Sequence, residues 1–237
     1  MRRDRWAVVV DPGDAAVVER YLAAEDLQLA AILLTHHHAD HVGGVAELTA
    51  ARDIPVFAPA AAGIAGTNRP VAEGDEVVLD EIGLRFQVLE VAGHTATHVA
   101  YLAPGILFPG DTLFSAGCGR LLGGTAAQLH ESLQRLAALP GDTAVYCTHE
   151  YTLANLAFAR VAEPANPDRD EYLLECEALR DAGKPTLPTT IERERRINPF
   201  LRASEPAIMA VLTDRTGERP RNSLACFTAL RAWKDVF

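Results

Sequence analysis

The sequence predicts an α+β protein in which sheets are covered by helices and a small helical part follows. Residues 1–166 alternate short β-branched runs with amphipathic helical patterns, which is typical of sheets packed under helices. A Pro/Asn/Asp-rich break lies at 163–170, and beyond it the pattern is helical only. We therefore predict one domain over 1–166 and an α-helical domain over 167–237.

Each element is predicted from its own residue pattern. Strands are predicted where short apolar runs are bounded by Gly, Pro or Asp, over 7–11, 29–35, 55–59, 76–80, 83–91, 97–103, 105–111 and 143–149. Helices are predicted from helical periodicity over 14–22, 45–52, 125–139, 152–162, 168–182, 205–215 and 222–236. Asp14 and Thr125 are suited to cap two of these helices. No strand is predicted after Asn166.

Composition excludes several classes of protein. No apolar run in the 237 residues is long enough to cross a bilayer, and the start MRRDRW leads into AVVVDPGD without the apolar segment of a signal peptide. The four cysteines form no CxxC pair, which argues against a zinc ribbon and a disulfide framework. We therefore expect a cytoplasmic protein, monomeric and without a membrane partner.

The net charge of −10 is unevenly distributed. Residues 1–166 carry 10 Arg against 20 Asp and Glu, whereas residues 167–237 carry 12 basic and 12 acidic side chains. Nucleic-acid binding requires a clustered basic surface, so a nucleic-acid partner is not expected. An anionic ligand would be held by local bases, which are concentrated in the C-terminal part.

Four predicted strands end in loops that carry metal-ligand residues. The loops read THHHADH (35–41), GHT (93–95), GDT (110–112) and THEY (148–151). Alternation lets His36 and His38 point the same way from an extended chain, while Asp40 and His41 can face a neighbouring point. This one loop could supply halves of two metal sites. The residues available to complete them are His94, Asp111 and His149.

Imidazole and carboxylate together suit zinc, iron or manganese. A single histidine at a strand end is nevertheless more often a structural residue than a ligand. We keep that interpretation for His37, His98 and His130. The spacing HxHxDH directly after an apolar strand is different, because chance seldom assembles it.

The motifs resemble one known family. THHHADHVGG, AGHTATH, FPGDTLF, AGCGR and CTHEYT, in this order, resemble the metallo-β-lactamase superfamily. GDTLFSAGCGR (110–120), THEYTLANLAFA (148–159) and LPTTIERERRINPFLR (187–202) resemble glyoxalase II, the hydroxyacylglutathione hydrolases. The resemblance covers nearly the whole chain. It implies an αββα sandwich over 1–166 as the catalytic domain and a helical substrate-binding domain over 167–237.

The resemblance also implies the site residues. It implies two divalent metal ions per subunit, with zinc as the expected metal and iron or manganese as alternatives. The first ion would be held by His36, His38 and His94, and the second by Asp40, His41 and His149. Asp111 would bridge them, and Asp40 and Asp111 would be the catalytic carboxylates. Glutathione would be bound by Arg120, Tyr151, Arg231 and Lys234, of which the last two are three residues apart on one helical face. Asp11 is a candidate to orient an imidazole.

The chain departs from the family pattern at two places. Leu122 stands where some members have an aromatic residue, so one contact to the thiol peptide would be weakened or made by other groups. The family also has an additional first strand with an Asp-Asn-Tyr motif. The sequence leaves two alternatives, a start upstream of Met1 or a sheet with an exposed edge strand.

The implied reaction is hydrolysis of S-2-hydroxyacylglutathione, typically S-D-lactoylglutathione, to glutathione and a 2-hydroxy acid, a step of methylglyoxal detoxification. Two metal ions that share a water lower its pKa from 15.7 to roughly 7 and so supply hydroxide. Alternatives are a one-iron persulfide dioxygenase or another hydrolase of the same fold, and a non-catalytic metal-binding module. Cys118 is an alternative nucleophile, but no sequence cue provides it with a base.

Overall fold

The computed structural model describes all residues, 1–237, and divides into two compact units. The first unit comprises residues 1–90 and 97–104, and the second comprises residues 91–96 and 105–237. Asn166 lies inside the second unit, so the domain division predicted there stays a prediction. No helix of the structure combines the length and the apolar character that a membrane crossing requires.

The first unit contains eight strands and three α-helices. In chain order they are β1 (Arg2–Arg3), β2 (Trp6–Val10), α1 (Ala15–Ala24), β3 (Gln28–Leu33), α2 (Ala39–Val42), α3 (Val45–Thr49), β4 (Val56–Pro59), β5 (Arg69–Val71), β6 (Glu76–Leu79), β7 (Leu84–Glu90) and β8 (Val99–Ala103).

Strands β1 to β5 form one sheet in chain order, and β2 to β5 are parallel. The apolar run of β3 is buried from Leu29 to Leu33, as expected for an inner parallel strand that is covered on both faces. The short β1 pairs antiparallel with Trp6 and Ala7, and so covers part of the β2 edge that the sequence left exposed. Strands β6, β7 and β8 form an antiparallel meander.

The second unit contains five short strands and six α-helices. They are β9 (Ile106–Phe108), β10 (Leu113–Phe114), β11 (Gly117–Cys118), α4 (Ala126–Ala137), β12 (Ala144–Val145), α5 (Thr152–Ala162), α6 (Pro167–Asp181), β13 (Thr189–Thr190), α7 (Ile191–Ile197), α8 (Pro206–Thr216) and α9 (Ser223–Lys234). Strand β12 pairs parallel with β9 and antiparallel with β13, and β10 and β11 form a hairpin.

Three helices begin directly after a residue whose side chain caps the helix N-terminus. Asp14 accepts a hydrogen bond from the backbone N–H of Ala16 at 2.8 Å, and Thr125 forms a capping box with Gln128. Asn166 caps α6, which has Pro167 at its first position.

Two sequence predictions are wrong in the C-terminal half. The strand predicted over 143–149 pairs with its neighbour only at Ala144–Val145. The chain then leaves the sheet, and His149 lies close to Asp111. Strand β13 and helix α7 lie in 189–197, where no strand and no helix was predicted. The inward face of α7 consists of Ile191, Glu194 and Ile197, and the charged residue in its middle hides the apolar periodicity.

Candidate metal centre and substrate groups

The histidine loop of the first unit follows β3 directly. His36 is fully buried, and its Nε2 lies 3.0 Å from Nδ1 of His38. His38 has extended backbone angles and is the residue before α2, so the next two ligand-type residues stand on a helical turn. There Nε2 of His41 lies 3.6 Å from the Asp40 carboxylate. The loop therefore brings its four predicted ligands together as two pairs.

Asp11 orients two of these imidazoles. Its Oδ1 accepts the backbone N–H of Thr35 at 2.8 Å, and its Oδ2 accepts the Thr35 hydroxyl at 2.7 Å and faces Nδ1 of His41 at 3.0 Å. The Thr35 oxygen in turn lies 3.0 Å from Nδ1 of His36. Because the carboxylate only accepts and the hydroxyl proton is already used, both Nδ1 atoms must donate. In the neutral rings the lone pairs are then on Nε2 of His36 and His41, which is the state that a metal ligand requires and that orienting partners of ligand histidines typically impose.

The ligand atoms of Asp11, His36 and His41 all lie within 4.8 Å of one another. Asp11 could therefore be counted as a ligand itself. Three donors already occupy its two oxygens, however, and one of them is the imidazole of His41. We therefore assign Asp11 to orienting the ligands and not to binding the ion.

The three histidines that the sequence analysis interpreted as structural have different environments. The His98 ring stacks on the His36 ring, with centroids 4.7 Å apart and planes inclined by 19°. This contact fixes the plane of a ligand candidate. His37 is exposed to solvent, and His130 of the second unit packs against Phe227 at 5.4 Å between ring centroids.

In the second unit, Asp111 lies between two histidines. Its Oδ2 is 3.5 Å from Nε2 of His94, and its Oδ1 is 3.5 Å from Nε2 of His149. The Thr148 hydroxyl donates to Oδ1 at 2.7 Å and holds the carboxylate in this orientation. Each oxygen thus faces a different imidazole, which is the arrangement expected of a carboxylate that bridges two ions.

The backbone determines the tautomer of His94. Its Nδ1 lies 2.7 Å from the carbonyl oxygen of Arg120. A carbonyl only accepts, so Nδ1 carries a proton, and in the neutral ring the lone pair is on Nε2, on the Asp111 side. His94 itself is 3% exposed, so this orientation is held within the protein.

The distances within the four pairs test whether these residues fit metal ions. Two ligands that each stand about 2.0–2.1 Å from one tetrahedral zinc ion are about 3.3 Å apart. The pairs His36–His38, Asp40–His41, His94–Asp111 and His149–Asp111 have separations of 3.0, 3.6, 3.5 and 3.5 Å. Both units therefore contain His/Asp groups suited to divalent metal ions.

The predicted glutathione groups lie around the end of α9. The Arg120 side chain is largely exposed, and its Nε lies 3.4 Å from Asp235, the residue that follows α9. Lys234 donates to the carbonyl of Ala154 in the first turn of α5 at 3.2 Å, and burial together with the charge of Arg231 lowers its pKa. Tyr151 precedes α5, is 49% exposed and stacks on His149 with ring centroids 4.9 Å apart.

Arg231 occupies a different environment from Lys234. It is 3% exposed, and its guanidinium donates to the carbonyls of Cys118 and Gly119 and to the carboxylate of Asp235. The predicted pair does share one side of α9, but only Lys234 reaches the surface.

The turn between β10 and β11 rests on a buried carboxylate that the sequence analysis missed. Glu194 is fully buried and accepts from the backbone N–H of Ala116, the hydroxyls of Ser115 and Thr189 and the side-chain amide of Asn198, at 2.8–3.1 Å. Burial raises its pKa, and these hydrogen bonds partly offset that effect. Ala116 has a φ of 55°, a left-handed conformation that the surrounding bonds sustain. The motifs around 110–120 and 187–202 therefore form one structural network.

Cys118 lies in β11 of this hairpin and is buried. Burial raises the pKa of its thiol to about 11, although the neighbouring Arg231 acts in the opposite direction. A thiol of this kind is almost fully protonated at neutral pH, which argues against the nucleophile alternative.

The sequence analysis did not identify three residues that orient the ligand loops or the β10–β11 turn, because their residue types are common in cores and turns. Thr35 and Thr148 each adjoin a predicted ligand, and that position was the only signal available. Glu194 gave a weaker signal, a lone acidic residue at the inward spacing of Ile191 and Ile197.

Two family models together match almost the whole chain. The model described as metallo-beta-lactamase superfamily matches residues 2–149, and that described as hydroxyacylglutathione hydrolase C-terminus matches residues 150–237. A hydroxyacylglutathione hydrolase of Chromohalobacter salexigens is 53% identical over 233 residues, which cover 97% of this chain and 90% of that protein.

Solved structures agree with the fold. ETHE1 from Myxococcus xanthus superposes with a TM-score of 0.61 at 31% identity and covers 97% of this chain and 89% of its own. TTHA1623 in a di-iron-bound form has a TM-score of 0.57 at 31% identity, with coverages of 81% and 88%. The structure accordingly has the metallo-β-lactamase fold followed by C-terminal helices.

Proposed function

Because this chain belongs to the hydroxyacylglutathione hydrolase family of the metallo-β-lactamase superfamily, we propose that it hydrolyses S-2-hydroxyacylglutathione thioesters. S-D-lactoylglutathione is the typical substrate, and glutathione and D-lactate are its products, in the context of methylglyoxal detoxification. The observation that carries the proposal is the Asp111 carboxylate, which directs one oxygen to His94 and the other to His149.

We assign two metal ions to the four ligand pairs. His36, His38 and His94 would hold the first ion, and Asp40, His41 and His149 the second. Asp111 would serve both, because its two oxygens face different imidazoles. When bound, two such ions supply a hydroxide nucleophile at neutral pH and polarise a carbonyl oxygen. Zinc is the proposed metal, since the ligand set of imidazole and carboxylate suits it, and iron or manganese share that preference.

The protein's own groups orient the imidazoles. Asp11 acts on His41 directly and on His36 through Thr35, and the Arg120 carbonyl acts on His94. A glutathione thiol resembles cysteine, whose ordinary pKa is about 8.5, so the thiolate can leave without a dedicated acid. The chain accordingly needs no Ser-His-Asp arrangement.

Glutathione would be bound at the end of α9. Arg120 approaches α9 through Asp235, and Lys234 reaches the first turn of α5 beside Tyr151, so three polar groups surround one helix end. Two cationic groups there suit the carboxylates of the peptide. Arg231 adds positive charge from beneath this surface, since its side chain is buried. The exposed Leu122 offers apolar contact where some family members have an aromatic ring.

The rival functions predict different metal occupancy. A one-iron persulfide dioxygenase does not need the second ligand set, yet Asp40 and His41 form a pair at 3.6 Å and His149 approaches Asp111. A metal-binding module would have no use for a cationic surface at α9. Both observations favour the hydrolase.

The test is an assay of S-D-lactoylglutathione hydrolysis with protein of measured metal content. Release of glutathione that stops in the Asp111→Asn variant, with the variant shown to be folded by circular dichroism, supports the proposal. Oxygen consumption with glutathione persulfide and no thioester hydrolysis would establish the dioxygenase instead. Metal binding without turnover of either substrate would leave the metal-binding module.

A further inference from the structure

Arg231 is a buried cation that holds two consecutive carbonyl groups. Its Nη1 lies 3.1 Å from the carbonyl oxygen of Cys118 and 3.4 Å from that of Gly119. Its Nη2 lies 3.0 Å from Asp235, which anchors the other side of the guanidinium. The guanidinium also packs over the Phe200 ring at 5.1 Å. The end of α9 is thus connected to the segment that leaves β11.

The same segment contacts His94 through Arg120, two residues after Cys118. The Arg120 carbonyl accepts from Nδ1 of His94 at 2.7 Å, and the Leu122 N–H donates to the His94 carbonyl at 2.8 Å. The segment packs closely against His94 and Asp111 at Gly119. A Cβ at Gly119 would stand 1.9 Å from the carbonyl oxygen of Asp111 and 3.1 Å from Nδ1 of His94.

We propose that Arg231 is a positioning residue for His94, acting through the backbone of Cys118–Arg120. By fixing two carbonyls of this segment, Arg231 places the third, that of Arg120, which keeps the His94 proton on Nδ1 and turns Nε2 to Asp111. This deepens the proposed function, on which the metal assignment of His94 rests. It gives Arg231 a task separate from attracting the substrate carboxylate.

The chemistry favours arginine at this position. A guanidinium offers five N–H donors in a rigid planar fork, which allows one side chain to bind two carbonyls and a carboxylate at once. A lysine keeps the charge, but its donors are on one nitrogen at the end of a flexible chain, so it cannot reproduce the planar arrangement of the guanidinium. Arg231→Lys therefore tests the geometry while it preserves the electrostatic attraction of α9 for an anion.

The first experiment is nuclear magnetic resonance of the metal-free protein. The ring Nδ1–H proton of His94 is assigned by its loss in His94→Asn, and its exchange with water is compared between wild type and Arg231→Lys. We expect exchange to become faster in Arg231→Lys and to be unchanged in Lys234→Ala, the matched change one turn further along α9. Unchanged exchange in both variants would overturn the proposal.

The second experiment measures metal affinity by competition with a chromophoric chelator. Loss of a partner that orients a ligand histidine typically weakens metal binding by about 10–100-fold, and in Arg231→Lys we expect this for the ion assigned to His94. Lys234→Ala should bind metal as the wild type does. If Arg231→Lys raises KM for the glutathione thioester but leaves metal affinity and kcat intact, Arg231 is a substrate contact only and the proposal fails.

A third variant tests the proposal even if Arg231→Lys does not fold. Because Asp235 also meets Arg120, Arg120→Ala, which keeps the backbone carbonyl, is the control and should show wild-type exchange. The test variant is Asp235→Ala, which removes the exposed carboxylate that anchors Nη2 and leaves Arg231 in place. Faster exchange of the His94 ring proton in this variant supports the proposal, and wild-type exchange contradicts it. Because the exchange measurement needs neither metal nor substrate, its result stands apart from failure of the proposed hydrolysis.

Discussion

Replacing Asp11 by Asn should weaken binding of the proposed second metal ion without unfolding the protein. The Asp11 side chain is 3% exposed and accepts three hydrogen bonds, two from Thr35 and one from His41. Asn has the same shape, and it tolerates the left-handed φ of 49° at this position, which Ala would not. The substitution therefore keeps the shape of the side chain, while it removes the negative charge and replaces one acceptor oxygen by an NH₂ donor.

The amide cannot satisfy all three donors. If its oxygen accepts the Thr35 N–H, its NH₂ group faces the Thr35 hydroxyl, which can rotate to accept, and Nδ1 of His41. His41 must then accept at Nδ1, and its proton moves to Nε2, the atom directed to the metal. If the amide flips, NH₂ meets the Thr35 N–H instead, and a buried donor is left unpaired.

The expected magnitude follows from the role of Asp11 as an orienting partner. Such partners typically contribute about 10–100-fold in metal affinity, which is about 1.4–2.8 kcal/mol at 1.4 kcal/mol per tenfold. The free energy of unfolding should fall by about 1–3 kcal/mol for one unsatisfied buried group. Because Asp11 reaches His36 only through Thr35, the ion proposed for the site of His41 should be affected more strongly.

The assay is a two-site chelator competition, with urea denaturation of the same samples. Asp14→Asn is the matched control, since Asn caps a helix as well as Asp does and stands three residues away. It should leave both affinities unchanged. Two ions bound by Asp11→Asn with wild-type affinities would refute the orienting role.

Three further predictions concern the substrate, the thiol and the buried carboxylate. Lys234→Ala should raise KM for the glutathione thioester, at a cost of about 1–3 kcal/mol with kcat little changed, and leave a small thioester unaffected at fixed ionic strength; equal loss of kcat for both substrates would instead assign Lys234 to the fold. Cys118→Ala should retain kcat within a few-fold, because burial raises the pKa of that thiol to about 11; loss of activity in a folded variant would restore the nucleophile hypothesis. Burial raises the folded-state pKa of Glu194, so the folded protein binds more protons than the unfolded chain above about pH 4.3 and its free energy of unfolding falls as the pH rises through that window. Glu194→Gln should remove this fall, and parallel stability–pH profiles for the two proteins would contradict it.

The sequence predicted the ligand loops because each follows an apolar run that ends in polar residues. His36, Asp111 and His149 were found in this way, and the structure gives each a paired partner at metal-ligand distance. Asp11 was a candidate from its place after β2, and its contacts with Thr35 and His41 support the orienting role. Local position along the chain was sufficient for these residues.

Contacts distant in sequence could not be predicted in the same way. Glu194 is 78 residues from Ala116, and Arg231 is 113 residues from Cys118, so nothing in a local pattern links them. Helical spacing placed Arg231 and Lys234 on one face, but it could not show that one side chain is buried and the other half-exposed. That difference depends on how the β10–β11 hairpin packs on α9.

The most direct test of the dinuclear hydrolase account is a metal titration of the metal-free protein. Zinc, iron(II) and manganese(II) are added separately, and the turnover of S-D-lactoylglutathione is recorded against the ratio of metal to protein, with elemental analysis at each plateau. Activity should reach its plateau at two ions per chain for any metal that supports turnover. Full activity with a single tightly bound ion per chain would contradict it.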